Sequence, residues 1–195
     1  MSGPYHHGNL RNALIERAIE VMDKEGLEKL SLRGLARDLN VSHAAPLRHF
    51  ANKADLLREI AQAGVERLIE ASKSAGDLKP GLDRLRQTMN GYVLWATENA
   101  AYHHILRNPD VMRHASDDLK SSVDKFASMQ WEDITAAQLS GWRPDEDPRL
   151  LYLHLISLTA GTAIVLTDPM YRAVLGRELD VVDIKGSIGI FLDAA

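Results

Sequence analysis

Residues 31–57, SLRGLARDLNVSHAAPLRHFANKADLL, hold the pattern that decides the fold of this chain. The beginning of this stretch carries apolar residues at spacings of three and four, which is the stripe expected on one face of a helix. Its members are Leu32, Leu35, Ala36 and Leu39. Asn40 follows, and asparagine tolerates the left-handed conformation that ends a helix. Ser42 is then placed to cap a second helix of about two turns.

The second helix is expected to bury Leu47 and Phe50, and Pro46 is tolerated because it lies near the first turn. Lys53 opens a third helix, which Asn52 can cap. Two short helices around a tight turn indicate a helix-turn-helix motif, whose second helix normally lies in the DNA major groove. The alternative is a three-helix core that does not bind DNA.

The motif also predicts which side chains contact DNA. The first residues of the second helix face base edges, residues one turn further on reach a base or a phosphate, and the flanking helices supply phosphate contacts. An arginine can bind guanine through two hydrogen bonds, and an alanine methyl can contact a thymine methyl. The predicted set is Ser31, Arg33, Ser42, His43, Ala44, Ala45, Arg48, His49 and Lys53.

The segment from Tyr5 to Leu57 resembles the DNA-binding domain of TetR/AcrR-type transcriptional regulators. The resemblance rests on a long first helix ending near Gly26, then SLRGLA, then VSHAAPLRHF, then NKADLL. Two positions depart from the family pattern. Asn40 replaces the usual turn glycine, and Leu47 stands where the family usually has a tyrosine that touches a DNA phosphate.

The charge distribution separates two parts of the chain. Residues 1–58 hold nine basic and seven acidic residues, whereas residues 59–195 hold fourteen basic and twenty acidic residues. The first part is therefore suited to phosphate and the second is repelled by it. We expect an all-α chain with a DNA-binding domain at 1–58 and a helical regulatory and dimerisation domain at 59–195.

Helical periodicity continues through the second part, with no convincing strand pattern. The segment 74–81, SAGDLKPG, is the best linker candidate, and Asn108-Pro109 is expected to close a short helix. Predicted helices span about residues 9–25, 53–74, 82–97, 101–107, 117–139, 149–167 and 181–193.

Residues 150–167 contain no Asp, Glu, Lys or Arg. A helix that is apolar on all sides must be covered on all sides. A membrane span is one interpretation, but His154, Ser157 and Thr159 dilute the apolar run. The better interpretation is that a second subunit covers it. The resemblance implies a homodimer formed through the last two long helices, and the small residues of 157–163 permit close helix approach.

The helices of the second part also carry residues suited to a small-molecule site, which needs apolar walls and a few polar groups. The alternative for each residue is an ordinary core position. The predicted lining residues are Met89, Tyr92, Trp95, His103, Phe126, Gln130, Tyr152 and His154. The resemblance implies a ligand cavity in this region without specifying its residues.

These observations favour a ligand-responsive transcriptional regulator, expected to be a cytoplasmic repressor that a small, mainly apolar effector releases from a palindromic DNA operator. We expect no catalytic site, metal site or cofactor, because no catalytic motif is present and the chain has no cysteine. Two alternatives remain at this stage. One is a helical metal- or small-molecule-dependent enzyme with a DNA-binding-like head, and the other is a ligand-free DNA-binding structural protein.

Overall fold

The computed structural model describes residues 10–73, 78–175 and 181–193, and these residues form helices and loops without any strand. The all-α prediction is therefore confirmed. The helices are α1 (Leu10–Glu25), α2 (Leu32–Asp38), α3 (Lys53–Lys73), α4 (Leu82–Glu98), α5 (Ala100–Leu106), α6 (Pro109–Arg113), α7 (Asp117–Leu139), α8 (Pro148–Thr167), α9 (Pro169–Leu175) and α10 (Val181–Asp193). Two 3₁₀ helices, Leu27–Lys29 and Pro46–Arg48, flank α2.

The chain divides into two compact units. The first holds the N-terminal residues up to Gly64 together with Ala101–Ser116, and the second holds Val65–Ala100 and the residues from Asp117 onward. Helix α3 contributes to both units. The boundary between residues 58 and 59 stays a prediction.

The core of the first unit is built mainly from α1, α2 and the start of α3. One face of α1 is buried, as its periodicity predicts, and Gly26 ends the helix with a φ of 86° that favours glycine. The largest fully buried side chains of this unit include Leu14, Leu35, Phe50, Leu56 and Ile60. This core holds the loop between α2 and α3 in place.

Side-chain caps set the beginnings of α2 and α3. The Ser31 hydroxyl oxygen accepts a hydrogen bond from the Gly34 N–H at 3.1 Å, which satisfies a free donor in the first turn of α2. The Asn52 side chain likewise accepts from the Asp55 N–H at 3.0 Å, as predicted. The Asp55 carboxylate accepts in turn from the Ala51 N–H at 2.9 Å. These caps hold the chain on both sides of the turn.

The core of the second unit forms around α4, which contacts α7, α8 and α10. Its buried side chains are Leu85, Met89, Val93, Ile134, Leu151, Leu155, Ile184, Ile188 and Leu192. Arg84 joins α4 to α7, because its guanidinium lies 2.6 Å from the buried Asp133 carboxylate, which also accepts from the Gly81 N–H. Burial raises the pKa of Asp133, whereas Arg84 and the Gly81 N–H lower it.

Two local expectations were wrong, and two short helices were not predicted. Residues 42–50 do not form a two-turn helix capped by Ser42; they form a turn followed by the 3₁₀ helix Pro46–Arg48. Proline has no N–H, so residue 46 cannot donate the α-helical bond to the Ser42 carbonyl. Leu47 is also 57% exposed rather than buried. Asn108 does follow α5, but it caps a further helix, α6, that the sequence reading missed, as it missed α9.

Helix α8 is long and apolar enough, by length and composition, to cross a membrane. It is the one helix of this kind in the described part of the chain. A core helix of a soluble protein passes the same criterion, so this property alone is weak support for a membrane span. The N-terminal half of α8 carries Leu151 and Leu155 in the core of the second unit.

Candidate nucleic-acid interface and effector region

The loop between α2 and α3 is held by successive backbone hydrogen bonds. Asn40 has a φ of 54°, so the left-handed helix end predicted for it is present. The Ala45 N–H donates to the Ser42 carbonyl at 2.9 Å, and the Arg48 N–H donates to the Ala45 carbonyl at 3.2 Å. Beneath these turns, Pro46 and Phe50 are buried. The buried pair anchors a loop whose remaining side chains face outward.

Most of the residues predicted to contact DNA are accessible. Ser31, Arg33, Ser42, His43, Ala44, Arg48 and His49 are exposed, and Ala45 and Lys53 are partly exposed. The Arg48 and His43 side chains lie on the loop, while Ser31 and Arg33 lie at the start of α2. Exposed hydrogen-bond donors and small apolar groups of the first unit are therefore available to a ligand.

Two members of this set already make bonds within the chain. The Ser31 hydroxyl oxygen caps α2, which leaves its O–H free to donate. The Lys53 ammonium donates to the Leu27 carbonyl at 2.8 Å, and an ammonium has two further donors. Both side chains can hold the fold and contact a phosphate at the same time.

The arginines of the first unit fall into two groups. Arg17 pairs with Asp38 at 2.9 Å, and Arg11 pairs with Glu59 at 2.5 Å. Among residues 10–64, by contrast, neither Arg33 nor Arg48 forms an ion pair. Among residues 10–64, Arg33 and Arg48 are thus the arginines without an ion pair, and both belong to the predicted DNA-contacting set. This arrangement suits an anionic partner such as the DNA backbone.

In the second unit, the aromatic residues of the predicted effector site form two groups. The Tyr92 ring lies 6.4 Å from the Trp95 ring and 6.4 Å from the Phe126 ring. The Tyr152 ring stacks on Trp131 at 4.7 Å, and burial raises the pKa of the Tyr152 hydroxyl. The first aromatic group thus joins α4 to α7, and the second joins α7 to α8.

The other predicted lining residues have different surroundings. Met89 belongs to the core of the second unit, and Gln130 is buried on α7 with only 6% of its surface exposed. His103 is buried in the first unit, and burial together with the charge of Arg107 lowers its pKa to about 4. His154 is exposed and packs edge-on against Phe191 of α10. No group of three or more His, Asp or Glu side chains is arranged to hold a metal ion in the described residues.

Residues 14–60 match the family model of bacterial regulatory proteins of the tetR family. The N-terminal segment of the chain is thus similar to the N-terminal segment of the TetR family. The match includes α1, the turn and the start of α3, which are the elements that carry the resemblance in the sequence. The helix-turn-helix lies within the matched residues, and it is a motif that binds DNA.

Solved structures extend the similarity to the whole TetR-family fold. A protein of unknown function from Rhodococcus sp. RHA1 is 26% identical with a TM-score of 0.72, over 98% of this chain and 96% of that chain. The TetR-family regulator PfmR from Thermus thermophilus is 18% identical with a TM-score of 0.69, over 94% and 93%. AibR in complex with isovaleryl coenzyme A and operator DNA is 18% identical with a TM-score of 0.72, over 93% and 97%. The comparison with curated proteins gives no match.

Large apolar side chains are exposed on α8 and α10. On α8, Leu150 and Leu153 are 52% and 56% exposed, and on α10 Val182 and Ile190 are 76% and 78% exposed. A groove of about 360 Å³ lies between the two helices. It is lined by Ser157, Leu158, Gly161, Thr162, Val165, Leu166, Asp183, Ile184 and Ser187.

One residue of the loop between α2 and α3 is exposed, although its sequence spacing predicts a core position. Leu47 lies between the buried Pro46 and the exposed Arg48, and its side chain points outward. A proline at position 46 was the available signal, because it disfavours the regular helix in which Leu47 would have faced inward.

Proposed function

We propose that the protein is a ligand-responsive repressor that binds a palindromic operator as a homodimer and is released by a small, mainly apolar effector. The observation that carries the proposal is the exposed loop of the helix-turn-helix, where Arg48 and His43 lie above the buried Pro46 and Phe50. A rigid platform with unpaired basic side chains is what base recognition requires.

DNA binding would use two kinds of contact. His43, Ala44 and Arg48 reach base edges in the major groove, and Ser31 and Arg33 contact phosphates. The phosphate contacts set affinity and make it salt-dependent, whereas the base contacts set the sequence. A dimer places two such loops about one helical turn of DNA apart, so the operator is expected to be a palindrome.

A homodimer is supported by the exposed apolar face of α8 and α10. Contiguous exposed apolar surface of this kind marks an interaction site, and a two-fold dimer covers the same surface on both copies. A membrane could also cover an apolar helix, but α8 contributes Leu151, Leu155 and Ala163 to the protein interior. We therefore place the protein in the cytoplasm, bound to DNA.

The effector would bind the second unit beside the aromatic groups of α4, α7 and α8. Tyr92, Phe126 and Tyr152 offer apolar walls, and the buried Gln130 offers a polar contact. AibR, which has the same fold, binds isovaleryl coenzyme A together with operator DNA. An effector releases DNA only to the extent that it binds the free form more tightly. Catalysis is not part of the proposed function.

Operator selection from random DNA tests this proposal. The purified protein is expected to enrich one palindromic sequence and to bind it with an affinity that falls steeply with salt. Small acyl compounds are then screened for release of the selected operator. Enrichment of no sequence would contradict the DNA-binding part, and a true enzyme would instead consume a compound without any DNA. Selective DNA binding that no effector alters would favour a structural DNA-binding protein.

A further inference from the structure

We propose that Leu47 is a base-specificity residue that packs against the methyl group of a thymine in each operator half-site. This inference rests on the proposed DNA-binding function and adds a contact by a residue whose sequence spacing predicts burial. The Leu47 side chain is 57% exposed, although it lies in a segment whose other large apolar residue, Phe50, is 1% exposed.

The backbone geometry places Leu47 on the same side of the loop as the predicted base-reading residues. The Ala45 N–H donates to the Ser42 carbonyl, and the Arg48 N–H donates to the Ala45 carbonyl. Two turns, each closed by a bond between residues three apart, therefore follow each other. In such turns residues three apart lie one above the other. By this spacing we expect Leu47 on the same exposed side of the loop as Ala44, while Pro46 is buried.

The chemistry of DNA limits what an exposed leucine can contact. In the major groove the thymine C5-methyl is the apolar group presented by a base edge, whereas the phosphates are charged and hydrated. Arg48 and His49 follow Leu47 in the chain and are exposed. Contacts of these two side chains with DNA would keep the Leu47 side chain in the groove. Burying one methyl between leucine and thymine is worth about a threefold to fivefold change in affinity.

The experiment replaces each thymine of the selected operator, one at a time, with deoxyuridine, which removes only the methyl. The wild type is expected to lose about threefold to fivefold in affinity at one thymine of each half-site. The Leu47→Ala variant is expected to bind the thymine and uridine forms of that site equally. Leu47→Met, which keeps an apolar chain, is expected to retain the methyl dependence. Leu139→Ala, which shortens an exposed leucine outside the predicted DNA-contacting set, is the matched control and is expected to bind like the wild type.

The outcomes separate this inference from the proposed function. If the wild type selects no operator, both fail. If it selects one and every uridine penalty persists in Leu47→Ala, Leu47 does not read thymine. If Leu47→Ala weakens all sequences equally without a change in methyl dependence, the side chain contacts the sugar-phosphate backbone and the inference is wrong. Leu47 is exposed, so we expect its substitution to have little effect on stability. Thermal unfolding midpoints equal to that of the wild type verify that each variant is folded.

Discussion

The Lys53 ammonium donates a hydrogen bond of 2.8 Å to the main-chain carbonyl of Leu27, so the first residue of α3 holds the turn that follows α1. This bond places the charge of Lys53 at a fixed position beside the helix-turn-helix. We expect Lys53→Ala to weaken binding to all DNA sequences alike, because a phosphate contact carries no sequence information. The slope of log affinity against log salt should fall by about one.

The same substitution should lower the free energy of unfolding by about 1 kcal/mol, because a partly buried bond from a charged donor is lost. Lys53→Arg keeps the charge and serves as the control for the salt slope. Affinity measured over a series of salt concentrations, together with denaturant unfolding, separates the two roles. An unchanged slope with lowered stability would leave Lys53 as a purely structural residue.

Arg48→Ala is expected to behave differently, because an arginine that binds a base edge selects the sequence. We expect specific binding to weaken by about 1–3 kcal/mol and one operator position to lose its base preference. Arg37 is a suitable control, because it is exposed on α2 and lies outside the predicted set. Repeating the operator selection with both variants measures the effect. Unaltered base preferences in Arg48→Ala would contradict the proposed orientation of the loop.

The long elements of this fold could be predicted from sequence because their signals are local and repeated. The predicted span 117–139 coincides with α7, and the predicted 181–193 coincides with α10. Residues that cap or end a helix, such as Asn52 and Gly26, act on their immediate neighbours in the chain. Their effects can therefore be predicted without knowledge of tertiary contacts. The family resemblance then supplied the function that periodicity alone does not specify.

The remaining features depend on geometry that a pattern does not encode. Helical spacing predicts Leu47 as a core residue. Pro46 favours a 3₁₀ helix instead of an α-helix in this segment, and the Leu47 side chain is exposed. His103 and Tyr92 share one predicted site in the sequence but belong to different compact units. The pairing of Arg84 with the buried Asp133 has a sequence separation of 49 residues, so no local signal predicts it. The composition of the effector site accordingly stays a prediction.

Gly161→Glu is expected to convert the dimer to a monomer without unfolding the chain. A Cβ added at residue 161 meets no atom within 4 Å in a single copy, and the residue lines an open groove, so we expect one subunit to accommodate the glutamate. In the dimer the carboxylate would be buried without a partner, which is strongly unfavourable. Leu139→Glu is the matched control, because Leu139 is 86% exposed at the end of α7. Light scattering of the three proteins measures the mass, and a monomeric wild type would end the dimer proposal.

Gln130→Leu tests the effector site. Gln130 is 6% exposed on α7, in the second unit, and we expect its substitution to weaken the response to an effector that carries a polar group. Operator affinity without effector should stay unchanged, which provides the internal control. Titrated effector release in the wild type and the variant is the measurement. Identical release curves would remove Gln130 from the site, and lost DNA binding without effector would make it a structural residue.

His103 is expected to make stability depend on pH. Burial and the charges of Arg107 and His104 lower its pKa to about 4, from an ordinary value of 6.5. Above pH 6.5 the imidazole is neutral in both folded and unfolded chains, so it has no effect on the pH dependence. Below that value the unfolded chain binds a proton that the folded chain does not bind, and the free energy of unfolding falls as the pH falls towards 4.

Between pH 6.5 and pH 4 the free energy of unfolding is expected to fall by about 3 kcal/mol, because one pKa unit corresponds to about 1.4 kcal/mol. Other groups also titrate between pH 4 and 6.5, so the informative quantity is the difference in slope between the wild type and His103→Leu. Leucine removes the titration while keeping an apolar side chain in the buried position. Urea unfolding at several pH values gives each slope, and parallel curves for the wild type and His103→Leu would show that His103 is not the titrating group.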